Sequence, residues 1–415
     1  MRLRSLLLAT VTLLLGGCAS LPWGAPGELV VGLMLPLHGA QSSLAQEELN
    51  GIQLALDDVN SRGGVHGRRL RLATADVTSR EDVGQAVVGL KREGAEVVMG
   101  TYSSGLSIPA AHAASDAGLV YWETGAVADQ LTGEGLPRVF RVGAAGSNLG
   151  RGSAIFAAEQ LAPRLRKGPS DVRVTVVQEH DPYGDSVAGS MTAEGRARGL
   201  QVATPILYDA ARPDWDAVVA QVARQPTDIL VLASYIPDGI QFRRAMLARK
   251  IHVGAMIGST MAQCLPDFGN ALGADAIGVF ASDRPTAGFN PGALSGSAAA
   301  AYGVLAAGYQ ARFQRAPTEE SISGFAAAWA LLVDTLPAAP RLDADGIATA
   351  ARAQDLPTGS LPNGAGLKFG SGAADLGQNT RAASVIWQWQ GVGKSVTVWP
   401  STLATGDVQM VPLPR

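Results

Sequence analysis

The sequence predicts an α/β fold made of two doubly wound lobes. Short, nearly continuous apolar runs alternate with helical patterns over the first hundred-odd residues, as parallel strands buried on both faces require. After the glycine-rich residues 143–152 the same alternation restarts. A chain of 415 residues, 47% hydrophobic and 17% charged, is also long enough for more than one core. Its 50 glycines and few aromatics suit tight βα turns, because apolar runs recur throughout.

In order, residues 28–37 form a strand on Val30, Val31, Leu33 and Leu35, and residues 36–43 a loop. Residues 47–60 are an amphipathic helix with Leu49, Ile52, Leu56 and Val59 on one face, stopped by Gly63-Gly64. Residues 70–75 are a strand, and residues 82–92 a helix facing inward with Val83, Val87 and Leu90. Strands at 97–99 and 119–122 flank a helix through Ala110, Ala111, Ala114 and Ala117. Residues 138–142 are a short strand, and 143–152 read as a flexible crossing. The second lobe has strands at 172–178, 201–207, 229–233, 256–258 and 277–282, with helices at 186–198, 215–222 and 240–248. Alanine-rich helices at 294–313 and 322–336 suggest close packing. A helix at 346–353 follows, and 367–369, 383–390 and 395–399 read as a terminal β region.

Residues 1–17 read as a cleaved signal peptide. Arg2 and Arg4 precede an apolar run at 6–15 that is too short to span a bilayer. Leu15-Gly16-Gly17-Cys18 resembles the bacterial lipobox, in which the cysteine is lipidated and becomes the new N-terminus. One acylated cysteine would tether the protein to a membrane without a spanning helix. Residues 18–27, with two prolines and two glycines, are then a tether. Only Cys264 remains, so no intramolecular disulfide forms, and it reads as a small buried hydrophobe.

Val97 to Ser107 is the central stretch: a buried strand, a glycine, then Thr101-Tyr102-Ser103-Ser104 opening a helix. Free N–H groups and the helix dipole at such an end attract anions. Ser103 and Ser104 either cap their own helix or hold a ligand. Ligands in open α/β sheets bind beyond the carboxyl ends of strands. The candidate loops are therefore 36–43, 102–107, 123–127, 179–185, 234–238 and 259–264, three from each lobe.

A net charge of −3 gives no nucleic-acid surface. The five histidines are scattered, and neither a His-Glu-x-x-His, a G-x-S-x-G elbow nor a P-loop occurs. Gly184-Asp185-Ser186-Val187 could pass for an esterase nucleophile block, but no convincing His-Asp partner follows it. The sequence therefore argues against an enzyme and calls for no cofactor or metal.

The region from about residue 28 to 405 resembles the leucine/isoleucine/valine-binding family of solute-binding proteins of ABC importers. The resemblance rests on Val31 to Leu37 after a lipoprotein signal, on Asn50 to Gly67 with its glycine stop, and on Gly100 to Ser104. Asp181-Pro182-Tyr183-Gly184 and the Ile386 to Trp389 and Val398 to Pro400 runs support it. It implies a type I periplasmic binding protein fold, with two Rossmann-like lobes joined by a multi-strand hinge. Lobe 1 would span 28–142 plus 283–340, and lobe 2 would span 143–282 plus 341–415.

By the same resemblance, Ser104 matches a serine that holds the ligand's carboxylate or amide. Gly125 and Val127 match a loop that offers backbone contacts, with valine replacing the family's threonine. Tyr183 and Tyr235 match aromatics that close over the ligand. The family's acidic residue for a ligand ammonium falls near Thr260, and Glu123 or Asp185 are its candidate replacements. Tyr102 and Trp122 resemble the relatives that bind short amides and urea-like ligands.

The expected function is thus a monomeric, lipid-anchored protein of the periplasm or cell envelope. It would bind a small polar organic ligand (an amino acid, short amide or small carboxylate) and deliver it to permease subunits. The alternatives are a lipoprotein of the same fold that regulates a protein partner, as activators of cell-wall synthases do, and a hydrolase using Ser186.

Overall fold

The computed structural model describes residues 27–236, 238–259, 266–286 and 288–413. The first sheet is built by β1 (Leu29–Leu35), α1 (Ser42–Ser61), β2 (Leu70–Asp76), α2 (Arg80–Arg92), β3 (Val97–Gly100), α3 (Ser104–Asp116), β4 (Val120–Glu123), the one-turn α4 (Gln130–Gly133) and β5 (Val139–Arg141). All five strands are parallel, in the order β2-β1-β3-β4-β5. Every residue of β3 and β4 is buried, which explains their continuous apolar runs.

The chain then crosses to a second sheet through α5 (Gly146–Phe156) and α6 (Ala162–Arg164). There follow β6 (Arg173–Glu179), α7 (Pro182–Ala197), β7 (Gln201–Val202), β8 (Ile206–Tyr208), α8 (Trp215–Ala223), β9 (Ile229–Ala233), α9 (Asp238–Ala248), β10 (Ala255–Ser259), α10 (Pro266–Leu272) and β11 (Phe280–Asp283). It returns to the first lobe for α11 (Gly296–Phe313), α12 (Glu319–Trp329) and α13 (Ala344–Arg352). A last crossing ends in β12 (Val385–Gly391) and β13 (Lys394–Trp399). The second sheet runs β13-β12-β11-β10-β9-β6-β7, with β8 also paired to β6. Its last two strands are antiparallel. No helix among the described residues is long and apolar enough to cross a membrane.

Each sheet is covered on both faces. In the first lobe α1, α11, α12 and α13 cover one face and α2 and α3 the other. In the second, α8, α9 and α10 lie opposite α5 and α7. Ile347, Ala348, Ala351, Leu361, Leu367 and Phe369 pack in the first lobe's core. A boundary at 340 places this stretch in the second lobe, and the packing corrects that. Residues 367–369 form only isolated bridges, to Leu356 and Asn379.

Residues 143–152 correct the sequence reading in another way. They enter helix α5 rather than a flexible crossing. The glycines are packing contacts: a Cβ at Gly146 would meet Ser186, and one at Gly150 would strike the Val187 carbonyl of α7. Asn148 secures the helix start by accepting the Ala145 N–H at 2.9 Å. The helix expected at 322–336 passes at Ala330–Thr335 into a π-turn.

A similar close approach joins α1 to α12. A Cβ on Gly51 would collide with the Ser321 carbonyl, and one on Gly324 with the Glu48 carbonyl. This brings α12 down onto a buried charge cluster. Arg284, the residue after β11, pairs with Glu319 at 2.5 Å and donates to the Gly125 carbonyl at 3.0 Å. Burial alone would lower the Arg284 pKa, but Glu319, Asp283 and Glu320 together raise it. Burial, and then the Glu123 charge, push the Glu48 carboxyl up to about 8. The crossing that leaves the second lobe is thereby pinned inside the first.

Two outcomes follow for stability. Gly51→Ala should lower unfolding free energy by about 1–3 kcal/mol, because the backbone it meets cannot yield. Gly84→Ala, where a Cβ meets nothing within 4 Å, should raise it by about 0.5–1 kcal/mol. Equal effects in urea titrations would contradict this packing. Because Glu48 is protonated in the folded state up to about 8, the native protein holds an extra proton above the carboxyl's ordinary value. Its contribution to stability is therefore lost as pH rises through that window, by no more than about 1.4 kcal/mol per pH unit. Glu48→Gln should flatten the fall in unfolding midpoint between pH 5 and 8, and parallel curves for the two proteins would refute the assignment.

Candidate functional site

Strand order reverses between β1 and β3 in the first sheet and between β6 and β9 in the second. Loops leaving the carboxyl ends of such strand pairs diverge and leave a crevice. The two crevices meet here. A cavity of about 660 Å³ is lined by Gln41, Arg80 and Ser103 from the first lobe and by Glu179, Asp181, Tyr235 and Asp238 from the second.

Ser103 stands at the N-cap position of α3, with extended backbone, yet its hydroxyl caps no helix N–H. It is only 5% exposed. Gly105, in the first turn of α3, lines the same cavity. This wall offers a hydroxyl, a helix N-terminus and the Arg80 side chain, all suited to an acceptor or anionic group.

The opposite wall is acidic. Burial, and then the charges of Asp181, Asp238 and Asp209, push the Glu179 carboxyl up to about 8. Its Oε2 has no hydrogen-bond partner. Asp181 caps α7: one oxygen accepts from the Gly184 N–H at 2.7 Å and the other from the Tyr235 hydroxyl at 2.8 Å. Asp238 opens α9, and burial raises its pKa. Tyr235 meets Tyr183 edge-on, with ring centroids 5.0 Å apart. Tyr183 is fully buried, and its hydroxyl donates to the Ser259 carbonyl at 3.1 Å.

Of the residues picked from the sequence, Ser103 and Tyr235 therefore face the cavity. The others in the first lobe build the support behind it. Ser104 accepts the Ala128 N–H at 3.1 Å. One Glu123 oxygen accepts the N–H groups of Thr124, Gly125 and Ala126 at 3.0, 2.7 and 2.7 Å, and the other accepts the Tyr121 hydroxyl at 3.0 Å. From the other side Arg141 donates to the Ala128 carbonyl at 2.5 Å and to Gln378 at 2.6 Å. The loop at 124–128 is thus braced at both its N–H and its carbonyl groups. Val127 packs with Tyr183 and Val187 in a small cluster between the lobes.

Two aromatics turn away from the cleft. Trp122 donates its indole N–H to the Ala327 carbonyl at 2.9 Å and packs against Phe140 and Phe369. Tyr102, at φ +121°, sends its hydroxyl inward to Glu320 at 3.1 Å. Both are core side chains, fully buried. Neither candidate acid for the one expected near Thr260 lines this cavity. Glu123 is saturated by its own loop, and Asp185 accepts from Gln178 at 2.6 Å. Thr260 itself, like Cys18 and Cys264, lies outside the described residues. Ser186 sits on α7, with its hydroxyl donating to the Pro182 carbonyl at 2.7 Å and accepting the Asp129 N–H at 3.0 Å. A nucleophile would need that hydroxyl free.

Sequence reasoning missed Gln41, Arg80, Glu179 and Asp238 as individual residues. Glu179 and Asp238 bound two of the loops it selected, and an acidic residue at a strand's carboxyl end was the available signal. Arg80 follows β2, whose loop the pattern did not single out.

The sequence profile of the periplasmic binding protein family matches residues 28–385. The "Leu/Ile/Val-binding protein homolog 8" of Brucella suis biovar 1 is 31% identical over 388 residues, covering 93% of this chain and 94% of that protein. A leucine binding protein from Thermotoga maritima shares the fold with a TM-score of 0.75 at 18% identity, covering 89% of this chain and 98% of that one. A solute binding protein from R. palustris, solved in complex with benzoate, has a TM-score of 0.71 at 19% identity, covering 92% and 98%. The chain belongs to the periplasmic binding protein family, as a type I member of its leucine/isoleucine/valine-binding class.

Proposed function

We propose that this protein is the solute-binding component of an ABC importer. It acts as a monomer in the periplasm or cell envelope, anchored to a membrane by a lipid on Cys18. It closes on a small polar organic molecule and passes it to a permease. The observation that carries this reading is the cavity of about 660 Å³ shared by both lobes, a size suited to a small ligand. The chain passes between the lobes three times, a connection that permits hinge closure. Each charge-assisted hydrogen bond from Ser103 or the start of α3 would add about 1.5–3 kcal/mol. A docking role for a protein partner would call for a broad apolar face. Among the described residues, the large exposed apolar side chains Val88, Leu207, Val304 and Val392 sit instead on separate elements.

The test is thermal unfolding of the chain from residue 19 onward against amino acids, short amides, urea and small carboxylates. A ligand at about 100 times its Kd should add about 2.7 kcal/mol, and Ser103→Ala should weaken that ligand severalfold. No shift with any member would refute the reading. For the anchor, Cys18→Ser should move the protein from the membrane fraction to the soluble envelope fraction. Unchanged partitioning would exclude lipidation at that residue.

A further inference from the structure

The two walls of the cleft are electrically unlike. On one side lie Ser103, the N-terminus of α3 and Arg80. On the other lie Glu179, Asp181 and Asp238. Burial acts first on each of these three carboxyls, followed by neighbouring acids, tyrosines and backbone N–H groups. Asp181 is engaged by Gly184 and Tyr235. Glu179 keeps an oxygen without a partner, and Asp238 is 8% exposed. Carboxyls partly withdrawn from water in this way are stabilised by a cation that enters with its own hydrogen-bond donors.

A second, separate feature points to a ligand here. Ser103 is a polar side chain more than nine-tenths buried that lines the cavity and caps no helix N–H. The acids themselves do not form a metal site: among the described residues no group of three or more His, Cys, Asp or Glu could hold a metal ion. Nor does the cavity provide a dry aliphatic pocket. Ile236 is the one branched aliphatic side chain among its described lining residues.

We infer that the cleft selects an organic cation, with an ammonium or guanidinium group between Glu179 and Asp238 and a carboxylate or carbonyl at Ser103 and the start of α3. A basic amino acid fits this pattern, and a branched aliphatic one leaves the acidic wall unsatisfied. The inference rests on the solute-binding reading above and names the charge of its ligand.

Calorimetric titration of the wild-type protein with L-arginine, L-lysine, L-leucine and benzoate tests it. At least one cationic probe should bind tenfold or more tighter than leucine and benzoate. Asp238→Asn and Glu179→Gln, both isosteric, should each weaken that probe at least tenfold while the unliganded melting temperature holds or rises. Tighter binding of leucine or benzoate would overturn the inference and leave solute binding intact. So would cation affinity that survives both substitutions. Failure of all four probes would overturn the inference, and silence across the wider thermal panel would overturn solute binding with it.

Discussion

A buried guanidinium holds the two lobes in register. Arg284 leaves the end of β11 and enters the first lobe, where Glu319 and the carbonyl of Gly125 receive it. Without it, Glu48, Glu319 and Glu320 would lose the cation that acts on all three, and removing one partner of a buried ion pair costs several kcal/mol. Three parts of the cleft's support converge on this cation. The loop at 124–128 touches it directly. The N-terminus of α12 supplies Glu319, and Glu320 beside it holds Tyr102, the residue before Ser103. The glycine contacts between α1 and α12 let these acids approach. One charged side chain thus links the crossing to the strand-end loop that carries Ser103.

The strands were legible in the sequence because parallel strands buried on both faces leave unbroken apolar runs, as β3, β9 and β10 do. The glycine stop after α1 and the loops at strand carboxyl ends were legible for the same local reasons. What the pattern could not carry was tertiary. Gly146 and Gly150 look like flexibility in one dimension and are packing contacts in three. Residues 344–369 lie between β11 and β12 of the second sheet in sequence and still fill the first lobe's core. At the cleft the loops could be chosen, but not the side that each residue faces. Tyr102 and Trp122 are aromatic and next to the right loops, yet both point inward. Glu179 and Asp238 carry the cleft's charge, and only the fold brings them together.

The relatives show how little the fold alone specifies. Proteins of nearly the same architecture are described as binding leucine and, in a complex, benzoate. The scaffold supplies two strand-end crevices and three crossings, and the side chains at the crevices supply the chemistry. In this chain that chemistry is asymmetric: donors and a helix N-terminus face a wall of carboxyls. Closure would bring those opposite walls onto one molecule, so that neither lobe alone completes the site. The family's periplasmic character agrees with such a role outside the cytoplasm.

Hydrogen exchange with and without the ligand that most stabilises the protein would locate the site most directly. Bound ligand should slow exchange at once in residues 36–43 and 101–106 of the first lobe and in 179–184 and 234–241 of the second. Protection confined to one lobe, or centred away from these four loops, would contradict a site shared across the cleft.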